Sequence, residues 1–139
     1  MGSDAVSGTP GGTGEHPDGS GERAVERDRS CLVSMQECIR QIQHYAAGGR
    51  TAFMASTMVQ DAVFWNLQLL SASALRVSDE HKGMHPEVDW KRAAALFRDT
   101  LGDPWRPEPE RVWERIEADL AELGRGVQKL LRSNDVRVY

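Results

Sequence analysis

The chain has 139 residues, of which 27% are charged and 40% hydrophobic, and its formal net charge at pH 7 is −4. These values are typical of one soluble globular domain and argue against a basic protein that binds nucleic acid mainly through counterion release. No apolar run reaches the ~18 residues of a membrane span, and the first residues lack the basic and apolar regions of a secretory signal. We therefore expect a cytoplasmic protein without membrane contact.

The beginning of the chain differs in composition from the rest. Residues 1–29 contain seven glycines together with Pro10 and Pro17, and large apolar side chains are almost absent. Such a segment buries too little apolar surface to offset the entropy lost on ordering. The sequence therefore predicts a disordered tail over residues 1–29, a helical domain over residues 30–132 and a C-terminal tail over residues 133–139.

The first predicted helix begins near Ser30, a residue type that caps helices, and ends at Gly48-Gly49. Its apolar residues recur at spacings of three and four, as expected for one buried face: Leu32, Met35, Cys38, Ile39, Ile42 and Tyr45. Cys31 and Cys38 are the only cysteines, and two helical turns, about 10 Å, separate them. That distance is too long for a disulfide, so we expect two small, buried apolar groups.

The second predicted helix covers about residues 56–77 and is apolar on more than one face. Its apolar residues are Met58, Val59, Ala62, Val63, Trp65, Leu67, Leu69, Leu70 and Ala74. A helix of this kind is either central in the fold or packed against a partner chain. We therefore expect a homodimer that buries the surplus apolar surface.

Two further helices follow. Residues 78–88 are predicted as a loop, Asp89 as the cap of a helix over about residues 90–101, and Glu108 as the start of the last helix. Glycine and three prolines within residues 102–109 separate these two helices. The last helix keeps a helical apolar period through Val112, Trp113, Ile116, Leu120, Leu123, Val127, Leu130 and Leu131. The sequence predicts an all-α fold, a four- to five-helix bundle with an up-down plan.

Several short motifs occur once each along these helices and their connections, in a characteristic order. They are Tyr45-Ala46-Ala47-Gly48-Gly49-Arg50, Gln60-Asp61-Ala62-Val63, Asn66-Leu67, His85-Pro86, Asp89-Trp90, Arg98-Asp99 with Leu101, Val112-Trp113, Ile116-Glu117 and Asp119-Leu120. In this order and spacing the chain resembles the HepT-like family over nearly all of its predicted helical part, from about Leu32 to Leu131.

The resemblance implies a homodimeric helical bundle from a type VII-like toxin–antitoxin module. Members of the family cut RNA, and a partner, an MntA-like nucleotidyltransferase antitoxin, neutralises them by attaching adenylate groups to a tyrosine beside the active site. The active motif of the family is an Arg, four residues, a His, one residue and a Tyr. Histidine suits this chemistry because it exchanges protons near neutral pH, and a nearby arginine contacts the phosphate.

This sequence departs from that motif at two of its three positions. Arg98 matches the arginine, but Asp103 stands in the place of the histidine and Trp105 in that of the tyrosine. A free aspartic acid has a pKa near 3.9, so it is a weak base and almost no acid at pH 7. Trp105 has no hydroxyl to adenylate. The candidate catalytic residues are therefore Arg98, Asp103 and Trp105 as motif positions, with activity doubtful.

The second helix departs as well, because Trp65-Asn66-Leu67 and Leu70-Ser71-Ala72-Ser73 lack the family's arginine and glutamate. Joint loss of several polar groups favours a degenerate member over an active ribonuclease. One alternative is a non-catalytic binding or scaffold protein that pairs with a nucleotidyltransferase. A second is an unrelated helical bundle with structural duties alone.

Two other polar pairs have the spacing of candidate sites. His81 and His85 have the spacing of two zinc ligands on a helix but lack an obvious third ligand, so solvated or capping histidines are the preferred interpretation. Asp99 and Asp103 could hold a divalent ion, although such pairs are more often solvated. Trp105, in a loop, could stack on a base or cover the remnant pocket. The sequence predicts no metal and no cofactor.

Overall fold

The computed structural model describes residues 17–103 and 105–138, with side chains for residues 21–103 and 105–133. The helices are α1 (Pro17–Tyr45), α2 (Arg50–Ala55), α3 (Thr57–Arg76), α4 (Asp79–Met84), α5 (Trp90–Ala95), α6 (Pro109–Arg115) and α7 (Ala121–Val138). A 3₁₀ turn, Arg98–Thr100, follows α5, and a π-helical segment, Ile116–Leu120, joins α6 to α7. Across the described ranges there is no strand beyond one isolated bridge, so the all-α prediction is confirmed.

Helices α1 and α3 pack against each other in opposite directions. Asp28, in the first half of α1, hydrogen-bonds Ser78 just after the end of α3, and Ser34 further along α1 contacts Ser73 at 2.9 Å. Residue numbers thus rise along one helix as they fall along the other, which defines an antiparallel pair. The four-residue connection 46–49 and the short helix α2 join the two.

Helix α5 is antiparallel to the last helix in the same way. Arg92 pairs with Asp119, and Val88, just before α5, lies against Gly126, where an added Cβ would come within 3.1 Å of the valine. The bundle therefore contains two antiparallel pairs, α1 with α3 and α5 with the continuous helix α6–α7. Helices α2 and α4 are short additions between these four.

One apolar core lies between these helices. It contains Cys31, Leu32, Met35, Cys38, Ile39, Ile42, Phe53, Val63, Leu67, Leu70, Ala74, Val77, Val88, Trp90, Ala93, Leu96, Val112, Trp113, Leu120, Val127, Leu130 and Leu131. Both cysteines are free and buried, as predicted, and burial raises the pKa of each thiol above its ordinary value. None of the described helices combines the length and the apolar character that a membrane span requires.

The start of α1 differs from the prediction. The helix begins at Pro17, so residues 17–29, predicted as part of a disordered tail, are helical. Their contact with the bundle is polar: the buried carboxylate of Asp28 accepts hydrogen bonds from the backbone nitrogen and the hydroxyl of Ser78, at 2.8 and 2.7 Å. An apolar period cannot reveal such a contact between residues 50 positions apart. Residues 1–16 lie outside the described residues.

Three other boundaries also differ. Helix α7 continues to Val138, so the predicted tail over residues 133–139 is helical up to its last residue, which lies outside the described ones. The predicted loop over residues 78–88 contains α4, because the Ser78 hydroxyl caps that helix by accepting a bond from the backbone nitrogen of His81. The helix predicted over residues 90–101 ends as an α-helix at Ala95.

The start of the last helix agrees with the prediction. Glu108 is its N-cap residue and Pro109 its first helical residue, where the missing N–H of proline costs nothing.

Candidate functional site

The connection between α5 and α6 carries all three predicted site residues, and a buried serine of α3 sets where it begins. The Ser71 hydroxyl donates to the carbonyl of Ala93 at 3.1 Å and accepts from the backbone nitrogen of Phe97 at 3.0 Å. The hydroxyl thus takes the place of the direct hydrogen bond from the Phe97 nitrogen to the Ala93 carbonyl that would continue α5 by another turn. A side chain inserted into the hydrogen-bond ladder ends or bends a helix.

A short hairpin follows, which we call the 101–107 hairpin. The backbone nitrogen of Glu108 donates to Thr100 at 2.8 Å, and that of Gly102 donates to Arg106 at 2.7 Å. A β-bridge joins the first and last residues of the hairpin. These bonds pair part of the backbone of the connection within the connection itself.

Side chains from α6 hold the same hairpin from outside. Arg111 donates to the carbonyl of Leu101 at 2.6 Å and pairs with the Glu108 carboxylate at 3.1 Å. The Glu108 side chain also fills the space beside Gly102, where an added Cβ would overlap its carboxylate. An alanine at position 102 would therefore have to displace the Glu108 side chain.

The structure places the three predicted residues along this connection. Arg98 lies in the 3₁₀ turn before the hairpin, and Asp103 and Trp105 lie in the hairpin itself; all three side chains are exposed. Within the described part of the chain, no hydrogen bond or ion pair joins them to one another. The motif positions are thus brought to one surface without forming a preassembled catalytic cluster.

Trp105 has an unusual backbone conformation. Its φ is +66°, and it is the one residue other than glycine with a positive φ among the described residues. Its nitrogen donates to the carbonyl of Gly102 at 2.7 Å, which closes the turn. This left-handed position after a tight turn is ordinarily occupied by glycine or asparagine. The indole is 77% exposed, so packing in the described part of the chain does not offset the backbone strain.

The family model described as ribonuclease HepT-like matches residues 35–130, from the middle of α1 well into α7 and across the whole hairpin. The chain belongs to the HepT-like ribonuclease family. The comparisons with curated proteins and with solved structures find no match. Ribonuclease activity is therefore the general activity of its family. The hairpin of this HepT-like chain contains the positions predicted to correspond to two residues of the family's active motif.

The histidine pair of the HepT-like chain lies away from the hairpin. The rings of His81 and His85 are 4.6 Å apart, and the edge of Trp90 packs against His81 at 6.2 Å. His81 is 5% exposed, so the prediction of solvated or capping histidines is wrong for this residue. The nearby Gly83 and Pro86 favoured a loop in the sequence prediction, but His81 lies on the short helix α4 with its side chain buried. Among the described residues, no group of three or more His, Cys, Asp or Glu side chains is arranged to hold a metal ion.

A cavity of about 300 Å³ between α5 and α7 was not anticipated from the sequence. At its wall, the Asp119 carboxylate accepts bonds from Arg92 at 2.6 Å and from Arg115 at 2.8 Å. The pairing raises the pKa of the Arg92 guanidinium. Asp119 belongs to the π-helical segment, whose wider turn no apolar period indicates. With two guanidinium partners, this carboxylate serves as a structural link.

An apolar stripe remains exposed on α3. Met58, Trp65 and Leu69 are 81%, 59% and 37% exposed, and their spacings of seven and four place them on one face of the helix. Val33 of α1, 44% exposed, lines the same groove as Leu69. We call these four residues the α3 stripe.

Proposed function

We propose that this chain is the toxin-side component of a toxin–antitoxin module, and that its RNA-facing hairpin has lost the acid–base chemistry of cleavage. One observation carries the proposal. Arg98 and the backbone frame of the 101–107 hairpin are present, while Asp103 and Trp105 occupy the places of the family's histidine and tyrosine.

The chemistry of RNA cleavage supports this interpretation. Attack by the 2′-hydroxyl needs one group that accepts a proton and another that returns one near neutral pH, which is the usual role of histidine. Asp103 is exposed and makes no hydrogen bond to another described residue that would orient it. Its carboxylate would also add negative charge beside a phosphate.

Arg98 is the residue that retains a role. Its guanidinium is exposed, and no ion pair in the described part of the chain occupies it. It is therefore available for a two-pronged contact with a phosphate. Binding of RNA without cleavage is the expected result of this combination.

The α3 stripe supports the proposed homodimer. Three large apolar side chains in a row on one helix, continued by a valine on α1, form the kind of surface that a second copy buries.

Trp105 bears on the proposed antitoxin. An indole offers no hydroxyl for adenylate transfer, so an MntA-like nucleotidyltransferase that pairs with this chain would act as a binding partner at this position. Co-expression with such an enzyme should yield an adenylated Trp105→Tyr variant and no adenylate at position 105 of the native chain, as measured by peptide mass spectrometry. An adenylate on the native indole would contradict this part of the proposal.

The central experiment compares RNA cleavage by the native protein with cleavage by the Asp103→His, Trp105→Tyr double variant. We expect no cleavage by the native chain and a gain of at least about 10²-fold over background in the double variant, the lower end of what one acid–base group supplies. Adding Arg98→Ala should abolish the gain. Cleavage by the native protein that Arg98→Ala removes would show an active enzyme and overturn the proposed loss of chemistry.

A further inference from the structure

Trp105 combines three properties that rarely occur together. Its backbone is left-handed at φ +66°, its indole is 77% exposed, and its turn is held by hydrogen bonds on both sides. Bulky side chains are disfavoured in that conformation, and glycine would adopt it freely. A residue that weakens the fold and is not buried is expected to act on something outside the fold.

We infer that Trp105 is a fixed stacking platform for an unpaired base of single-stranded RNA, with Arg98 and Arg106 as flanking phosphate contacts. The inference rests on the proposed function in that RNA is taken as the ligand of the 101–107 hairpin. Beyond the proposed function, the inference names Trp105 as the residue that binds the RNA and single-stranded RNA as the class that is bound.

The frame of the hairpin explains why the ring is suited to this role. The Gly102–Arg106 backbone bond, the Glu108–Thr100 bond and the contact of Arg111 with Leu101 fix the turn before any ligand arrives. A side chain presented on a rigid turn loses little conformational entropy when it binds. Every base has an aromatic face, so stacking captures RNA without selecting sequence.

The charges around the hairpin favour stacking as the main contribution. Arg98 and Arg106 are exposed, but the exposed carboxylates of Asp99 and Asp103 balance them. A locally neutral surface gains little from counterion release, so the aromatic ring must supply most of the affinity. Bases in a duplex are already stacked on each other, and the ring therefore selects unpaired RNA.

The test measures RNA affinity and stability on the same variants of the full chain. The probe is a short fluorescein-labelled single-stranded RNA of mixed sequence, followed by fluorescence anisotropy, with a blunt RNA duplex as the comparison. Trp105→Gly should weaken binding of the single strand by about 5- to 100-fold, the range for loss of one stacked base. The same variant should unfold at a higher temperature than the native chain, because glycine relieves the strained φ.

Two variants serve as controls. Trp105→Phe keeps an aromatic face and should retain most of the affinity. Met84→Ala removes an exposed apolar side chain of α4, outside both the hairpin and the α3 stripe, and should leave RNA affinity unchanged within about twofold. The duplex should bind more weakly than the single strand.

The outcomes separate this inference from the proposed function. If the native chain binds single-stranded RNA and Trp105→Gly binds it equally well, the platform is overturned while RNA binding at another surface stands. If the native chain binds neither RNA, both proposals fall. A lower unfolding temperature for Trp105→Gly, or its conversion of a dimer to a monomer in sedimentation, would overturn the platform because the ring would then be a packing residue.

Discussion

One tryptophan directly follows the first long connection of the bundle and another lies within the second, and their environments are opposite. The connection 77–89 leads to Trp90, which is 8% exposed, contacts the His81 ring and donates its indole N–H to the carbonyl of His85 at 2.9 Å. The connection 96–108 holds Trp105, which is 77% exposed and sits on a strained turn. The first connection buries Val77, His81 and Val88, whereas at the tip of the second the backbone is hydrogen-bonded and the Trp105 side chain is exposed.

The difference in burial between Trp90 and Trp105 distinguishes residues that stabilise the fold from residues whose side chains are accessible to a ligand. In the first connection, the buried side chain of His81 contacts the rings of His85 and Trp90. In the second, the neighbours bind the main chain, so the side chains at the tip are left to face solvent. Exchanging residues should therefore change stability in the first connection and binding in the second.

The largest effect is expected at Trp90. Trp90→Ala leaves a cavity beside His81 and removes the bond to His85, and we expect a loss of about 3–5 kcal/mol in the free energy of unfolding. Urea denaturation followed by circular dichroism measures it. The matched control is Trp105→Ala, an exposed tryptophan outside the α3 stripe, whose loss should cost less than about 1 kcal/mol. Equal losses in the two variants would erase the contrast between buried and exposed tryptophans.

An intermediate effect is expected at Asp28, whose carboxylate anchors the first connection from α1. Asp28→Ala leaves the nitrogen and hydroxyl of Ser78 without their partner, at a cost of about 1–3 kcal/mol. Asp28→Asn retains one acceptor oxygen and should lose less. Thermal unfolding beside the exposed control Glu26→Ala checks this. A change no larger than that of Glu26→Ala would mean that the connection does not depend on this contact.

The smallest effect is expected in the second connection, at Gly102. Gly102→Ala pushes aside the Glu108 side chain and weakens its ion pair with Arg111, so we expect a loss of about 1 kcal/mol. In a Glu108→Ala background the same substitution has no carboxylate to displace and should cost clearly less. A double-mutant cycle in urea measures the coupling. An identical loss in the free energy of unfolding in both backgrounds would show that the contact between Gly102 and the Glu108 side chain does not stabilise the hairpin.

Local patterns were sufficient for most of the bundle. The spacing of Leu32 to Ile42 predicted the buried face of α1, and Ser56 and Val77 flank α3 where the sequence placed its ends. The start of α1 was missed because the buried contact of Asp28 with Ser78 is polar and joins residues distant in sequence. The early end of α5 was missed because it depends on a hydroxyl from another helix.

The position of the candidate residues was predictable in part, and their conformation was not. The sequence placed Asp103 and Trp105 after the predicted helix, but it placed Arg98 within the helix predicted over residues 90–101, which in the structure ends at Ala95. The left-handed backbone of Trp105 could not be foreseen, because sequence preference favours glycine or asparagine there. The overlap of Gly102 with the Glu108 side chain likewise arises only when the hairpin closes.

The frame of the hairpin contains neither of the two altered motif side chains. Thr100, Gly102, Glu108 and Arg111 hold the turn through main-chain partners or through each other, and within the described residues no side-chain hydrogen bond or ion pair of positions 103 and 105 belongs to this frame. Mutation at the tip therefore leaves the bonds of the frame in place, although the left-handed backbone at position 105 limits which side chains fit there. A lineage can exchange a nuclease's reactive groups for others in a few steps without breaking the bonds that close the hairpin, and the same frame offers protein engineers a mount on which position 103 can be varied.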